Sequence, residues 1–116
     1  AHALEAVCGY DGTLLHGEAV GTGMALAYDL ASALQLCTGQ DRGRVHAHLA
    51  GCGLVTRLAD SPAADASNDQ LIDIMRRDKK ARRGQMRFVV PRGIGNSFVS
   101  DDVPEETLRT VLDDSR

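Results

Sequence analysis

The sequence HGEAVGTGMALAYDLASALQL, residues 16–36, decides the fold. Its apolar side chains recur at the i, i+3 and i+4 spacing of a helix, along either of two series: Met24, Tyr28, Ala31 and Leu34, or Leu26, Leu30 and Ala33. The same stretch contains five alanines, whose small side chains would let neighbouring helices approach closely. We therefore predict a central, buried helix around which the other elements pack.

Capping patterns predict further helices on both sides of this stretch. A Ser, Thr or Asp followed three residues later by an acidic or amide side chain satisfies free backbone N–H groups at the start of a helix. The pattern occurs at Thr38-x-x-Asp41, at Ser67-x-x-Gln70, and at Asp102-x-x-Glu105 with Pro104 in the first turn. A separate helical run, Ala1–Val7, ends at Gly9. Helices are therefore expected along most of the chain.

The periodicity changes from helical to extended after residue 80. Met86–Val90 and Asn96–Val99 flank the turn-forming Pro91–Gly95, which predicts a β-hairpin. Pro91 should limit the ladder, because proline has no backbone N–H. Aromatic residues are only 3% of the chain, which argues against an all-β barrel or sandwich. The sequence thus predicts a mainly α fold with one small β-hairpin, in a single domain over residues 1–116.

Composition and charge exclude several classes of protein. The 116 residues are 43% hydrophobic and 25% charged, as in soluble globular proteins. No apolar run approaches the ~18 residues of a membrane span. The net charge of −3 argues against a general affinity for nucleic acid or anionic lipid. Positive charge is concentrated in residues 76–83, which carry a net +5, so an anionic ligand is expected there.

That basic cluster also has a simpler interpretation. It lies at the end of a predicted helix, where cations complement the helix dipole, so Arg76, Arg77, Arg82 and Arg83 are predicted to be mostly solvated charge. Asp78 falls on the apolar face of the helix and should turn toward protein. The chain begins without Met inside a helical run, so we expect it to be part of a longer protein.

Cysteines and glycines show no complete site. Cys8, Cys37 and Cys52 lie far apart, with no Cys-x-x-Cys pair and no His expected at ligand spacing from any of them. They are predicted to be reduced packing residues of a cytosolic protein. Gly21-x-Gly23 and Gly93-x-Gly95 do not form a dinucleotide fingerprint, and no P-loop is present. No nucleotide site is predicted in this chain.

The four histidines are weak metal candidates by spacing alone. His46 and His48 are two residues apart on a predicted helix, so they point to separate faces and are expected to be solvated. His2 shares a helical face with Glu5, three residues later. His16 begins the long helix, where it is either a metal ligand or a turn histidine.

Taken together, several segments resemble the C-terminal half of the 3-dehydroquinate synthase family in order and spacing. They are His2-Ala3-Leu4-Glu5-Ala6, Leu15-His16-Gly17-Glu18-Ala19-Val20 with Gly23-Met24, Asp78-Lys79-Lys80, and Met86–Val90 with Arg92-Gly93-Ile94-Gly95. The likeness spans nearly the whole chain. Each motif is weak alone, and their combination is what makes the resemblance specific.

The resemblance implies a fold and an activity. The chain would be the helical, metal- and substrate-binding C-terminal domain of a cytoplasmic shikimate-pathway lyase. That enzyme uses NAD and Zn²⁺ or Co²⁺ to convert 3-deoxy-D-arabino-heptulosonate 7-phosphate, a sugar-acid phosphate, to 3-dehydroquinate and phosphate. The NAD-binding domain is absent from this chain, which is therefore expected to be inactive alone. The whole enzyme would be a homodimer, with no nucleic acid or membrane partner.

The same resemblance assigns site residues. His16 matches a metal-binding His of the family, and His2 matches the second His of the motif G-H-T-x-G-H-A-x-E, which is catalytic and substrate-binding. Lys80, or else Lys79, matches a catalytic, substrate-binding Lys. Gly21 stands where the family more often has Ala.

Two alternatives stay open at this point. The chain resembles, less closely, the same domain of other sugar-phosphate cyclases of the inosose or valiolone synthase type, which share the fold, NAD and metal. A non-catalytic helical interaction module derived from such an enzyme is the second alternative. The residues before Ala1 and the mass of the native protein would separate them.

Overall fold

A computed structural model describes residues 1–78 and 86–116, which form five α-helices, a 3₁₀ turn and one pair of strands. The elements are α1 His2–Val7, α2 His16–Ala33, α3 Gly39–Gly51, a 3₁₀ turn Leu58–Asp60, α4 Asn68–Arg77, β1 Phe88–Gly93, β2 Asn96–Ser100 and α5 Glu105–Asp114. The predicted fold class, mainly α with one small β-hairpin, is confirmed. Within the same ranges, no helix is both long and apolar enough to span a bilayer.

Helix α2 lies at the centre, as the sequence predicts. It packs against α1, α3, α5 and β1. Small residues make this possible, since Ala19, Ala25 and Ala31 are fully buried. The helix is not buried on every side, however, because Met24 is 43% exposed. The Met24 face borders an open groove instead of the core.

The main core lies between α1, α4 and α5. Leu4 of α1, Leu71 and Ile72 of α4, and Leu112 of α5 are each at most 3% exposed, and Leu58 joins them from the 3₁₀ turn. Burying a side chain of this size contributes about 1.5–3 kcal/mol. This core fixes α1, the short helix that carries His2, against the rest of the molecule.

Two of the three predicted helix caps are confirmed. The side chains of Thr38 and Ser67 accept the backbone N–H groups of Asp41 and Gln70, each at 3.1 Å. The third prediction is wrong in detail. Helix α5 begins at Glu105 with Pro104 before it as the N-cap residue, while the Asp102 carboxylate accepts the Ser100 hydroxyl at 2.6 Å. Asp102 therefore closes a turn after β2 and does not cap the helix.

The hairpin extends beyond the limit that we predicted. β1 pairs antiparallel with β2 through Val89 opposite Val99 and Pro91 opposite Ser97, with an irregularity before Gly93. Each strand of a two-stranded sheet has an unpaired edge, where a residue without N–H is tolerated. The Tyr28 hydroxyl donates to the Gly93 carbonyl at 3.4 Å and attaches the hairpin to α2. Burial raises the pKa of Tyr28, which keeps this donor protonated.

Helices α2 and α3 are joined by a carboxylate at their interface. Asp29 accepts hydrogen bonds from Arg42 at 2.6 Å and from His46 at 2.7 Å. The Asp29 and His46 side chains are only 14% and 20% exposed. The prediction that His46 is solvated is therefore wrong, because Asp29 lies within reach on the neighbouring helix.

The end of α5 holds the segment before α4. The Ser115 hydroxyl accepts the buried Leu58 N–H at 2.8 Å. Arg116 donates to the carbonyls of Ala64 at 3.0 Å and Ala66 at 2.7 Å, and to the side chain of Asn68. These contacts order a loop that the sequence shows only as polar and alanine-rich.

Candidate functional site

A groove of about 790 Å³ opens beside the exposed face of α2. Residues of α1, α2, α4, α5 and the hairpin line it, and most of the lining is apolar, including Met24 and Pro91. His2, Asp78 and Arg87 bring polar groups to the same groove. A concave apolar surface with a few polar groups is typical of a small-molecule site.

Two polar side chains of α1, His2 and Glu5, each contact a side chain that follows α1 in the sequence. The His16 Nδ1 lies 2.9 Å from Glu5 Oε1, although eleven residues separate them. His2 Nδ1 lies 3.5 Å from the hydroxyl of Tyr10, and the two rings are tilted at 48°. The structure therefore pairs Glu5 with His16, and not with His2 as its sequence neighbour.

Local backbone conformation creates the corner between α1 and α2. Gly9 and Gly12 have φ values of +75° and +88°, which glycine adopts at little cost, and the chain reverses between them. Asp11 accepts the Thr13 N–H at 2.9 Å within the turn, and its hydrogen bonds to Thr13 hold the pKa of the Asp11 carboxyl below its usual range. The reversal starts α2 beside α1, which brings His16 next to Glu5.

The Glu18 carboxylate lies two residues after His16 in the sequence. Its Oε1 accepts the Leu15 N–H at 2.9 Å and so caps the start of α2. The carboxylate two residues after His16 is thus used for helix capping. Glu5 supplies the carboxylate that contacts the histidine.

His16 could supply one ligand of a metal site, but the described side chains around it do not form a complete site. Its side chain is 77% exposed, and with Nδ1 bound to Glu5 the other ring nitrogen, Nε2, remains for a cation. In residues 1–78 and 86–116, no three His, Cys, Asp or Glu side chains converge as a metal-binding group. A catalytic zinc takes three protein ligands, so a site at His16 would need ligands from elsewhere in the protein.

The predicted substrate-binding lysines, Lys79 and Lys80, lie outside the described residues, as do Arg82 and Arg83. Their neighbours are described. Arg76 forms an ion pair with Glu105 of α5, and Arg77 Nε donates to the Asp73 carbonyl at 3.3 Å. Arg76 is 48% exposed, which agrees with mostly solvated charge, but its ion pair with Glu105 was not predicted. Asp78 is half-buried and lines the groove with His2.

His48 and Cys52 lie close together at the end of α3. His48 precedes Cys52 by four residues, which places both on one face of α3, and the Cys52 Sγ lies 3.9 Å from His48 Nε2. The statement that no His stands at ligand spacing from a Cys is therefore wrong for this pair. All three cysteines are free thiols. Cys8 packs against the core, and burial raises the pKa of the Cys8 and Cys37 thiols.

Comparison with known proteins gives a consistent result. The family model described as "3-dehydroquinate synthase C-terminal" matches residues 1–81. The chain is 50% identical over 114 residues to a 3-dehydroquinate synthase of Ruegeria pomeroyi, covering 98% of this chain and 31% of that protein. It is 46% identical to the enzyme of the same name from Rhizobium meliloti, covering 96% of this chain and 30% of the relative. The chain thus spans about a third of the length of these relatives.

Proposed function

Because the chain belongs to the 3-dehydroquinate synthase C-terminal family, we propose that it forms the metal- and substrate-binding part of a cytoplasmic enzyme. That enzyme would convert 3-deoxy-D-arabino-heptulosonate 7-phosphate to 3-dehydroquinate and phosphate. The observation that carries the proposal is the 2.9 Å contact between Glu5 and His16, together with the position of His2 in the groove. The free cysteines agree with a reducing compartment.

His16 is the metal ligand in this proposal. Its Nε2 would hold a zinc or cobalt ion together with ligands from the part of the protein that this chain lacks. A bound divalent ion supplies a positive charge that holds and polarises a substrate oxygen. The chain's own contribution is to place His16 at the start of α2, whose small buried residues fix that helix in the centre of the fold.

His2 and Lys80 bind the anionic substrate in this proposal. His2 is exposed in the groove, where its ring can donate a hydrogen bond to a carboxylate or phosphate oxygen. Lys80 is assigned by the resemblance, with Lys79 as the alternative. A lysine suits the task, because a compact charge on a flexible stem can follow a phosphate as it leaves.

The residues of this chain do not fit an NAD site. The glycine pairs lack a third glycine and the strand–helix context that a pyrophosphate site needs. In the proposal, NAD binds to the remaining two thirds of the protein, and the active site forms where the two parts meet. The substrate and that NAD-binding domain are then the partners of this chain, and the full-length enzyme is a homodimer.

The experiment compares the full-length protein with the isolated 116-residue chain. Each is incubated with substrate, NAD and zinc, and release of phosphate and formation of 3-dehydroquinate are measured. We expect turnover by the full-length protein and none by the isolated chain above a heat-inactivated control. A full-length protein that makes no 3-dehydroquinate would contradict the proposal and favour another cyclase or a non-catalytic module.

The same assay tests the lysine assignment. A hydrogen bond between a charged donor and a desolvated anion is worth about 1.5–3 kcal/mol, so Lys80→Ala should lower kcat/KM at least about tenfold. Arg83→Ala is the matched control, since it removes the same charge three residues away, and a change below about threefold is expected for a surface cation. Equally small changes in kcat/KM for both variants would mean that the basic cluster of residues 76–83 is only solvated charge.

A further inference from the structure

We propose that Glu5 is a positioning residue for the metal site. Its carboxylate holds the Nδ1–H of His16 and so presents Nε2, with its lone pair, to a divalent cation. This inference deepens the proposed function and rests on the metal role given to His16 there. Neither the sequence resemblance nor the comparisons assign any role to Glu5.

The geometry of the pair suits this role. Glu5 Oε1 and His16 Nδ1 are 2.9 Å apart, and the Glu5 side chain is only 16% exposed while that of His16 is 77% exposed. The better-buried partner is therefore the carboxylate, which belongs to a helix fixed by the buried residues Ala3 and Leu4. A histidine this exposed would rotate freely without such a contact.

The chemistry of the pair selects one tautomer. An ionised carboxylate can only accept hydrogen bonds, so the ring nitrogen that contacts Glu5 must carry the proton. A neutral imidazole has one N–H and one lone pair, and with Nδ1 protonated the lone pair is on Nε2. Carboxylate partners of metal-bound histidines act in this way, by fixing both the tautomer and the orientation of the ring.

A second carboxylate–histidine pair in the fold shows what is special about the first. Asp29 contacts His46 at 2.7 Å, but it also binds Arg42, and the His46 ring is only 20% exposed. That pair therefore links two helices. His16 differs because its side chain is 77% exposed, so the ring nitrogen that faces away from Glu5 is open to a cation.

The test measures zinc affinity of the full-length, metal-free protein by competition with a chromophoric chelator. Loss of a residue that hydrogen-bonds to a metal ligand typically weakens metal binding about 10- to 100-fold. We expect Glu5→Ala to weaken zinc binding by a factor in this range. Glu5→Gln keeps an oxygen acceptor, so its zinc affinity should lie between those of Glu5→Ala and the wild type. Glu18→Gln is the matched control, because it removes the same charge near His16 and leaves a side chain that still caps α2; its zinc affinity should match the wild type.

A second measurement reports the tautomer without any metal. In nitrogen-15 spectra of the histidine rings, the His16 signal should show protonation at Nδ1 in the wild type and a shift toward Nε2 protonation in Glu5→Ala. The dispersed amide signals of the same sample report whether the variant is folded.

Two outcomes separate this inference from the proposed function. The positioning role of Glu5 is wrong if His16→Ala weakens zinc binding but Glu5→Ala does not. It is also wrong if Glu18→Gln weakens zinc binding as much as Glu5→Ala does. In both cases the metal role of His16 stands. If His16→Ala leaves zinc affinity unchanged, the metal role itself is wrong. An unchanged His16 tautomer in folded Glu5→Ala would also overturn the inference.

Discussion

Ser115→Ala should destabilise the fold far more than its size suggests. The Ser115 hydroxyl accepts the Leu58 N–H at 2.8 Å, and both residues are buried, with Ser115 4% and Leu58 0% exposed. The substitution removes the acceptor and leaves a backbone N–H inside the core without a partner. Such a group costs about 1–3 kcal/mol, which is a large share of the 5–15 kcal/mol by which proteins of this kind are stable.

The assay is urea unfolding followed by circular dichroism, with the free energy of unfolding extrapolated to water. In thermal unfolding of the same variant, each kcal/mol that is lost should lower the Tm by roughly 4 °C in a domain of this size. Ser97→Ala is the control, because Ser97 is exposed on β2, and a change within about 0.5 kcal/mol is expected there. A Ser115→Ala protein as stable as Ser97→Ala would refute the reasoning, since it would mean that the Leu58 N–H finds another partner.

Two further predictions concern α2 and α3. Thr22→Val keeps the shape of a side chain that is 1% exposed but removes its donor to the Val55 carbonyl at 2.8 Å, so urea unfolding should show a loss of about 1–2 kcal/mol. Gly43→Ala, in open space within α3, should raise stability by up to about 1 kcal/mol through helix propensity. Gly21→Ala should gain less in the same assay, because its Cβ would lie 3.0 Å from Leu54 Cδ1.

The sequence was sufficient for the helices and two of their caps. Periodic apolar residues place α2, and the side chains of Thr38 and Ser67 cap α3 and α4, because a cap depends on residues only three positions apart. The position of Pro104 was predicted wrongly, because its local sequence allows two positions in the helix. Proline fits both the first helical turn and the residue before it, and the pairing of Asp102 with Ser100 decided between them.

Contacts between distant residues were beyond sequence reasoning. Glu5 and His16 meet only because the turn at Gly9 and Gly12 folds α2 back beside α1. The partner of His46 likewise lies on another helix. Spacing along one helix suggests neighbours three or four residues apart, so it associated Glu5 with His2 and could not find His16.

The contact between His48 and Cys52 is different, because it can be predicted from the sequence. Four residues separate His48 from Cys52, and this spacing alone places both on one helical face. The spacing was readable without a structure. Gly21 is an intermediate case, since the sequence shows a departure from the family and only the fold shows that Leu54 fills the space.

The most direct test of the account is the rate of zinc-dependent phosphate release by the full-length protein carrying His16→Ala, beside His46→Ala as the matched histidine control. His16 is assigned as a metal ligand, and His46 as a contact between α2 and α3. Loss of a residue that only hydrogen-bonds to a metal ligand lowers activity by up to about 100-fold, so loss of the ligand itself in His16→Ala should lower kcat/KM by more than that. His46→Ala should stay within about threefold of the wild-type kcat/KM but should lower the free energy of unfolding, because His46 contacts Asp29 between α2 and α3. Equal rates in His16→Ala and wild type, with zinc required in both, would contradict the account.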